Sequence, residues 1–157
     1  IKKALNNPIR RSWMYYRTYS RKTDGFKHEC VYAEVAENQP EGAVYKFTQG
    51  YTNGKGNKTV KTTLYATPFM TEGSSRKTEN AMTVTASKDQ DTGKNYRLIY
   101  SNYGSCDILR VLDDSKIYGH ECELYVHEKG GKMEVPQSCE SIYGLACGRG
   151  HTSYKQQ

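Results

Sequence analysis

The hydrophobic positions of this chain alternate with polar ones in short runs, and only rarely do they follow the three-to-four-residue spacing of a helix. Ser12 to Tyr19 is rich in aromatic residues, which favour extended pairing. His28 to Val35, Ala43 to Gln49, Lys58 to Ala66 and Ala81 to Ser87 follow as strand candidates. Asn95 to Ser101, Cys106 to Leu112 and Cys122 to Val126 complete the series. Turn signals separate them: Thr23-Asp24-Gly25, Gln39-Pro40-Glu41-Gly42, Asn53-Gly54 and Asp91-Thr92-Gly93. The stretch from Pro68 to Lys77 reads as irregular.

Two segments are helical candidates, a short N-terminal stretch before Ser12 and the run from Gln137 to Ala146. Pro136 suits the start of the second, and Gly148 and Gly150 stop it. Eight short strands in sequence with one late helix predict an all-β fold, an eight-stranded up-and-down antiparallel barrel with the C-terminal helix packed outside. A barrel of this size can hold one small ligand. No internal repeat, low-complexity segment or linker divides the chain, so residues 1–157 are expected to form a single domain.

Composition sharpens this picture. The hydrophobic fraction is 36%, but 14 tyrosines add buried bulk with a polar tip. No apolar run reaches the roughly 18 residues of a membrane helix. The net charge of +6 is spread over scattered residues such as Lys2, Lys3, Arg10, Arg11 and Lys61, with no recognition helix or aromatic-rich RNA-binding signature, so nucleic acid is not an expected partner. There is no GxSxG or comparable nucleophile context, so no enzyme is expected. His120 and His127 flank a strand, but no third ligand has metal spacing, and neither a metal nor another cofactor is expected.

Five cysteines, four of them in the last third, read as a disulfide framework of an oxidising compartment. The odd count leaves one without a partner in this chain. Asn57-Lys58-Thr59 is a glycosylation sequon in a stretch rich in Gly, Asn and Lys, as suits an exposed hairpin of a secreted glycoprotein. The chain is accordingly expected to be a mature form whose leader has been removed.

In the C-terminal third, Cys106-Asp107-Ile108 is followed after fourteen residues by Glu123-Leu124-Tyr125, and after thirteen more by Cys139. This pattern resembles the amine-binding signature of the tick salivary lipocalins. Cys30-Val31-Tyr32-Ala33 resembles that family's second-strand cysteine, and Ala146 to Gly148 its C-terminal helix and tail. The resemblance implies a lipocalin barrel in saliva that suppresses host defence. Its members sequester histamine, serotonin, leukotrienes or fatty acids, and some bind host proteins such as complement components. It implies a monomer with a Cys106–Cys139 bridge and a Cys122–Cys147 bridge. Cys30 would pair with a cysteine beyond Gln157, or else take Cys147 and leave Cys122 over.

Strand parity adds an argument of its own. Successive side chains face opposite sides of a sheet, and a helix packed on a barrel lies outside it. If Cys106 bridges Cys139, Asp107 points inward with Leu109 and Val111. If Cys122 bridges Cys147, Glu123 and Tyr125 do the same. Asp107, Glu123 and Tyr125 are therefore expected to bind ligand, and Tyr100 is added as a candidate whose facing no bridge sets. A buried carboxylate costs several kcal/mol unless paired, and an ammonium ligand beside an aromatic ring supplies that pairing.

Competing readings exist. An inward Arg97 could pair with Asp107 or Glu123 and block the cavity. Arg21, Lys22 and Arg97 occupy places where family members with a second, outer amine site carry acidic or aromatic residues, so that outer site is read as absent. Charged loops at Arg21-Lys22, Gly54 to Lys58 and Ser74 to Lys77 would suit binding of a host plasma protein such as a complement component. A lipid mediator would need a basic mouth, for which Arg97 or Arg110 are candidates. Trp13 is expected to plug the closed end of the barrel. Tyr15, Tyr16, Tyr19, Tyr96 and Tyr100 could line the cavity or pack elsewhere.

Overall fold

Threonine, valine and tyrosine alternate along most of the strands, and the pairing this favours is realised in one antiparallel sheet that closes on itself. The structure, a computed structural model, describes residues 1–6, 11–17, 22–23, 26–36, 42–53, 58–73, 75, 77–90, 93–112, 121–148 and 151–152. A short helix, α1 (Lys2–Leu5), precedes β1 (Arg11–Arg17), β2 (Lys22–Thr23), β3 (Phe26–Val35), β4 (Tyr45–Asn53) and β5 (Lys58–Phe69). Then come β6 (Ala81–Thr85), β7 (Lys94–Ser101), β8 (Cys106–Leu112), β9 (Cys122–His127), α2 (Gln137–Cys147) and β10 (His151–Thr152).

Each strand from β3 to β8 pairs with its successor, and β1 pairs with both β9 and β3. That double pairing closes an eight-stranded up-and-down barrel, the lipocalin architecture expected from the strand pattern. The two-residue strands β2 and β10 had no sequence signal, because a period cannot be read from two residues. β5 runs through Pro68 to Phe69, where the sequence suggested irregular chain, since β6 pairs with it as far as Phe69↔Ala81.

Two hydrophobic layers result. Met14, Val31, Phe47, Leu98, Leu109 and Tyr125 belong to the barrel interior. Ile108, Leu124, Val126 and Tyr143 pack between the outer sheet face and α2. β9 is therefore buried at every position, with Leu124 under the helix and Tyr125 in the barrel. Disulfides Cys106–Cys139 and Cys122–Cys147 join α2 to β8 and β9. Cys122 thus takes Cys147, and Cys30, buried in β3 with φ of 49°, belongs to neither bridge.

The β1–β3 seam carries its own cluster. The Trp13 and Tyr32 rings, cross-strand partners, lie 5.2 Å apart, and the Arg11 guanidinium sits 4.5 Å above Tyr32. Arg11 donates to Glu34 at 2.6 and 2.8 Å, and Trp13 Nε1 donates to Glu128 at 2.9 Å. Ser12 and Met14, its neighbours, face the interior, so Trp13 stands on the outer face. It seals the seam and does not plug the barrel. Tyr32 in turn lies where a side chain at Gly50 would be: a Cβ there would come within 2.3 Å of the ring. Glycine is required at that crossing.

Candidate ligand-binding cavity

The barrel encloses a cavity of about 270 Å³. Its walls are mostly apolar, with Ala33, Phe47, Leu64, Leu98 and Leu109 among them. Ile1, Ala4 and Leu5 of the α1 segment contribute at one end. Ser12, Gln49, Thr85, Lys94, Asp107 and Glu123 supply polar groups, with the hydroxyl-bearing rings of Tyr96 and Tyr125.

Parity places the acidic pair. Cys106 and Cys122 face α2 through their disulfides, so Asp107 and Glu123, one residue on, turn into the barrel. The same alternation sends Tyr125 inward and Arg110 outward, where its Nη2 donates to the Ala146 carbonyl at 2.8 Å.

The two carboxylates have different surroundings. Asp107 accepts a hydrogen bond from the Ser101 hydroxyl and lies 2.8 Å from His127 Nε2, whose ring is buried. Glu123 is buried beside the Tyr125 hydroxyl, which donates to it at 3.3 Å. Burial pushes the Glu123 carboxyl up to about 7, against the opposing pull of that hydroxyl and of the Arg17 charge. Arg17 is itself buried and is the cross-strand partner of Glu123 on β1.

Tyr100 does not reach the cavity. A bulge between Leu98 and Tyr100 breaks the alternation of β7, so Tyr100 pairs with Ile108 and packs in the layer under α2. Tyr15 and Tyr16 lie in that layer too, whereas Tyr96 lines the cavity. Arg97, expected as a possible plug, points outward from β7, so it neither fills the barrel nor meets Asp107. His127 takes that role. Asn57, Tyr19, Arg21 and His120 lie outside the described residues. Among the described residues no cluster of three or more metal-ligating side chains occurs.

Sequence reasoning missed the contributions of Ser12, Gln49 and Lys94 to the lining and of Arg17 and His127 to the acidic pair. Of the last two, His127 alone had a usable signal. His127 follows Tyr125 by two and shares its face, and the only obstacle was not knowing how far β9 extends. Arg17 had none, because the shift in the β1–β9 register between Met14 and Tyr16 defeats counting by twos.

A closed eight-stranded barrel with a lined interior cavity and an outer C-terminal helix defines a ligand-binding lipocalin. The sequence matches the tick histamine binding protein family over residues 1–157, and the chain belongs to that family. Similar folds include a major allergen of cockroaches, with TM-score 0.61, 12% identity and coverage of 99% of this chain and 87% of that one. Lobster apocrustacyanin A1 (TM-score 0.63, 10% identity) and apocrustacyanin C2 (0.64, 9%) each align with 99% of this chain and 80% of their own. A comparison with curated proteins finds no match.

Proposed function

We propose that this protein is a secreted, non-enzymatic scavenger that removes a biogenic amine, histamine or serotonin, from host tissue by holding it in the barrel. The observation that carries this reading is the convergence of Asp107 and Glu123 on one mostly apolar cavity. Family membership supports the amine as the ligand class. The cavity, about 270 Å³, sits just below the range of about 300–1,000 Å³ typical of drug-sized ligands, which suits a molecule of one or two rings.

Glu123 has the first claim on the ammonium. Burial of its carboxylate outweighs the pull of the Tyr125 hydroxyl and the Arg17 charge, so a cation beside it favours the ionised form. The Tyr125 and Tyr96 rings offer cation–π contacts worth about 0.5–2 kcal/mol. Asp107, held by Ser101 and His127, is suited to accept a hydrogen bond from the far end of the ligand. Two disulfides suit the oxidising setting of saliva.

The competing readings have less support. Arg97 and Arg110, the candidate anchors for a fatty acid or leukotriene, both lie on the outer face. Most of the loops named for capture of complement or another plasma protein fall outside the described residues. Calorimetric titration with histamine and serotonin tests the proposal. Saturable one-to-one binding that Glu123→Gln abolishes supports it, and absence of heat with both amines refutes it.

A further inference from the structure

On the outer face of the barrel, away from the cavity, two arginines stand side by side. Arg97 on β7 and Arg110 on β8 are direct cross-strand partners. Like charges in that relation repel and cost stability. Burial and the Arg97 charge both hold the Arg110 guanidinium below its usual range. Arg110 uses one nitrogen on the Ala146 carbonyl, and its buried Nε has no hydrogen-bond partner among the described residues. Arg97 has neither a hydrogen bond nor an ion pair among the described residues.

Beside Arg97 lies a hollow bordered by Thr71, Gly73, Ser75 and Asn80, with the exposed Glu72 at its rim. Asn80 is 5% exposed and bonds Thr71 through both amide atoms. Its Oδ1 accepts from the Thr71 backbone N–H at 2.9 Å, and its Nδ2 donates to the Thr71 hydroxyl oxygen, also at 2.9 Å. With that oxygen accepting from Asn80, the Thr71 hydroxyl proton remains available to donate.

We propose that this hollow is an anion site, in which Arg97 and the Thr71 hydroxyl hold a sulfate or phosphate oxyanion, free or carried on a sulfated glycan. A guanidinium matches such an oxyanion with two parallel hydrogen bonds. The anion also relieves the repulsion between Arg97 and Arg110. A sulfated glycan would retain a basic scavenger, of net charge +6, at the extracellular surface.

The test is titration of the full chain with sodium sulfate and, separately, with a heparin-derived hexasaccharide, at fixed ionic strength. Saturable binding of either that Arg97→Gln weakens at least about tenfold supports the site. If the hexasaccharide binds much more tightly, the oxyanion is glycan-borne; if the two match per sulfate, it is free. Thr71→Val is the second variant, expected to weaken binding by a smaller factor while removing no charge. Urea unfolding of both variants serves as the folding control, so the outcome does not depend on amine binding in the cavity. No binding of either anion, or binding that Arg97→Gln and Thr71→Val leave unchanged, overturns it.

Discussion

Asp107 and His127 face each other inside the barrel, with carboxylate and imidazole 2.8 Å apart and the histidine ring almost wholly removed from solvent. They sit on neighbouring strands, β8 and β9, one residue past Cys106 and one past Val126, whose own side chains point the other way into the layer beneath α2. The acid that the sequence pattern offers to a ligand is therefore held first by the protein's own side chains.

Replacing Asp107 with alanine removes the carboxylate from a buried imidazole. We expect a loss of about 1–3 kcal/mol of stability, measured by urea unfolding. Asp107→Asn keeps the shape and an acceptor and is expected to cost less. In amine titrations Asp107→Asn should weaken binding less than Glu123→Gln does.

Glu123 makes folding stability depend on pH. Its carboxyl is raised from an ordinary value of 4.5 to about 7 in the folded protein. Between those values the folded state holds the proton more tightly than the unfolded state, so stability falls as pH rises from about 4.5 to about 7 and levels off above. The full effect is on the order of 3 kcal/mol. Denaturant midpoints of the ligand-free protein across that window should show the decline, and Glu123→Gln should flatten it.

Amine affinity should follow the opposite course. An ammonium prefers the ionised carboxylate, so binding strengthens with pH up to about 7, approaching tenfold per unit below it, and then levels. Calorimetry in buffers of different ionisation enthalpy should register proton release near pH 6. An affinity independent of pH in this range would exclude Glu123 as the anchor.

Gly50→Ala would press a methyl group into the Tyr32 ring, which is already packed against Trp13 and Arg11. The expected cost is about 1–3 kcal/mol, read as a lowered melting temperature. Tyr32→Ala costs stability by itself, but in its presence Gly50→Ala should add little more, because the collision is gone.

Removing Cys106 and Cys139 together opens a loop of 33 residues. A loss of about 3–4 kcal/mol follows from chain entropy. Proteolysis should then cut near α2 before the barrel strands, since the helix keeps only its second bridge to β9.

Much of this protein was legible in its sequence for one physical reason: side chains on a strand alternate with a strict period of two. The eight strands and the inward turn of Asp107, Glu123 and Tyr125 follow from that period once a cysteine anchors the outer face, while Pro136 and Gly148 marked the late helix. The alternation fails where the backbone inserts a residue. The bulge in β7 carried Tyr100 to the outer layer, and the register shift in β1 concealed Arg17 as the neighbour of Glu123. Closure itself, with β1 between β3 and β9, joins β1 to a strand more than a hundred positions away, and no local pattern encodes which side chains meet there. The tertiary structure alone decided that Trp13 packs against Tyr32, that His127 and not Arg97 meets Asp107, and that Cys122 takes Cys147. Local alternation sets which way a side chain points, and only the closed sheet determines what it meets.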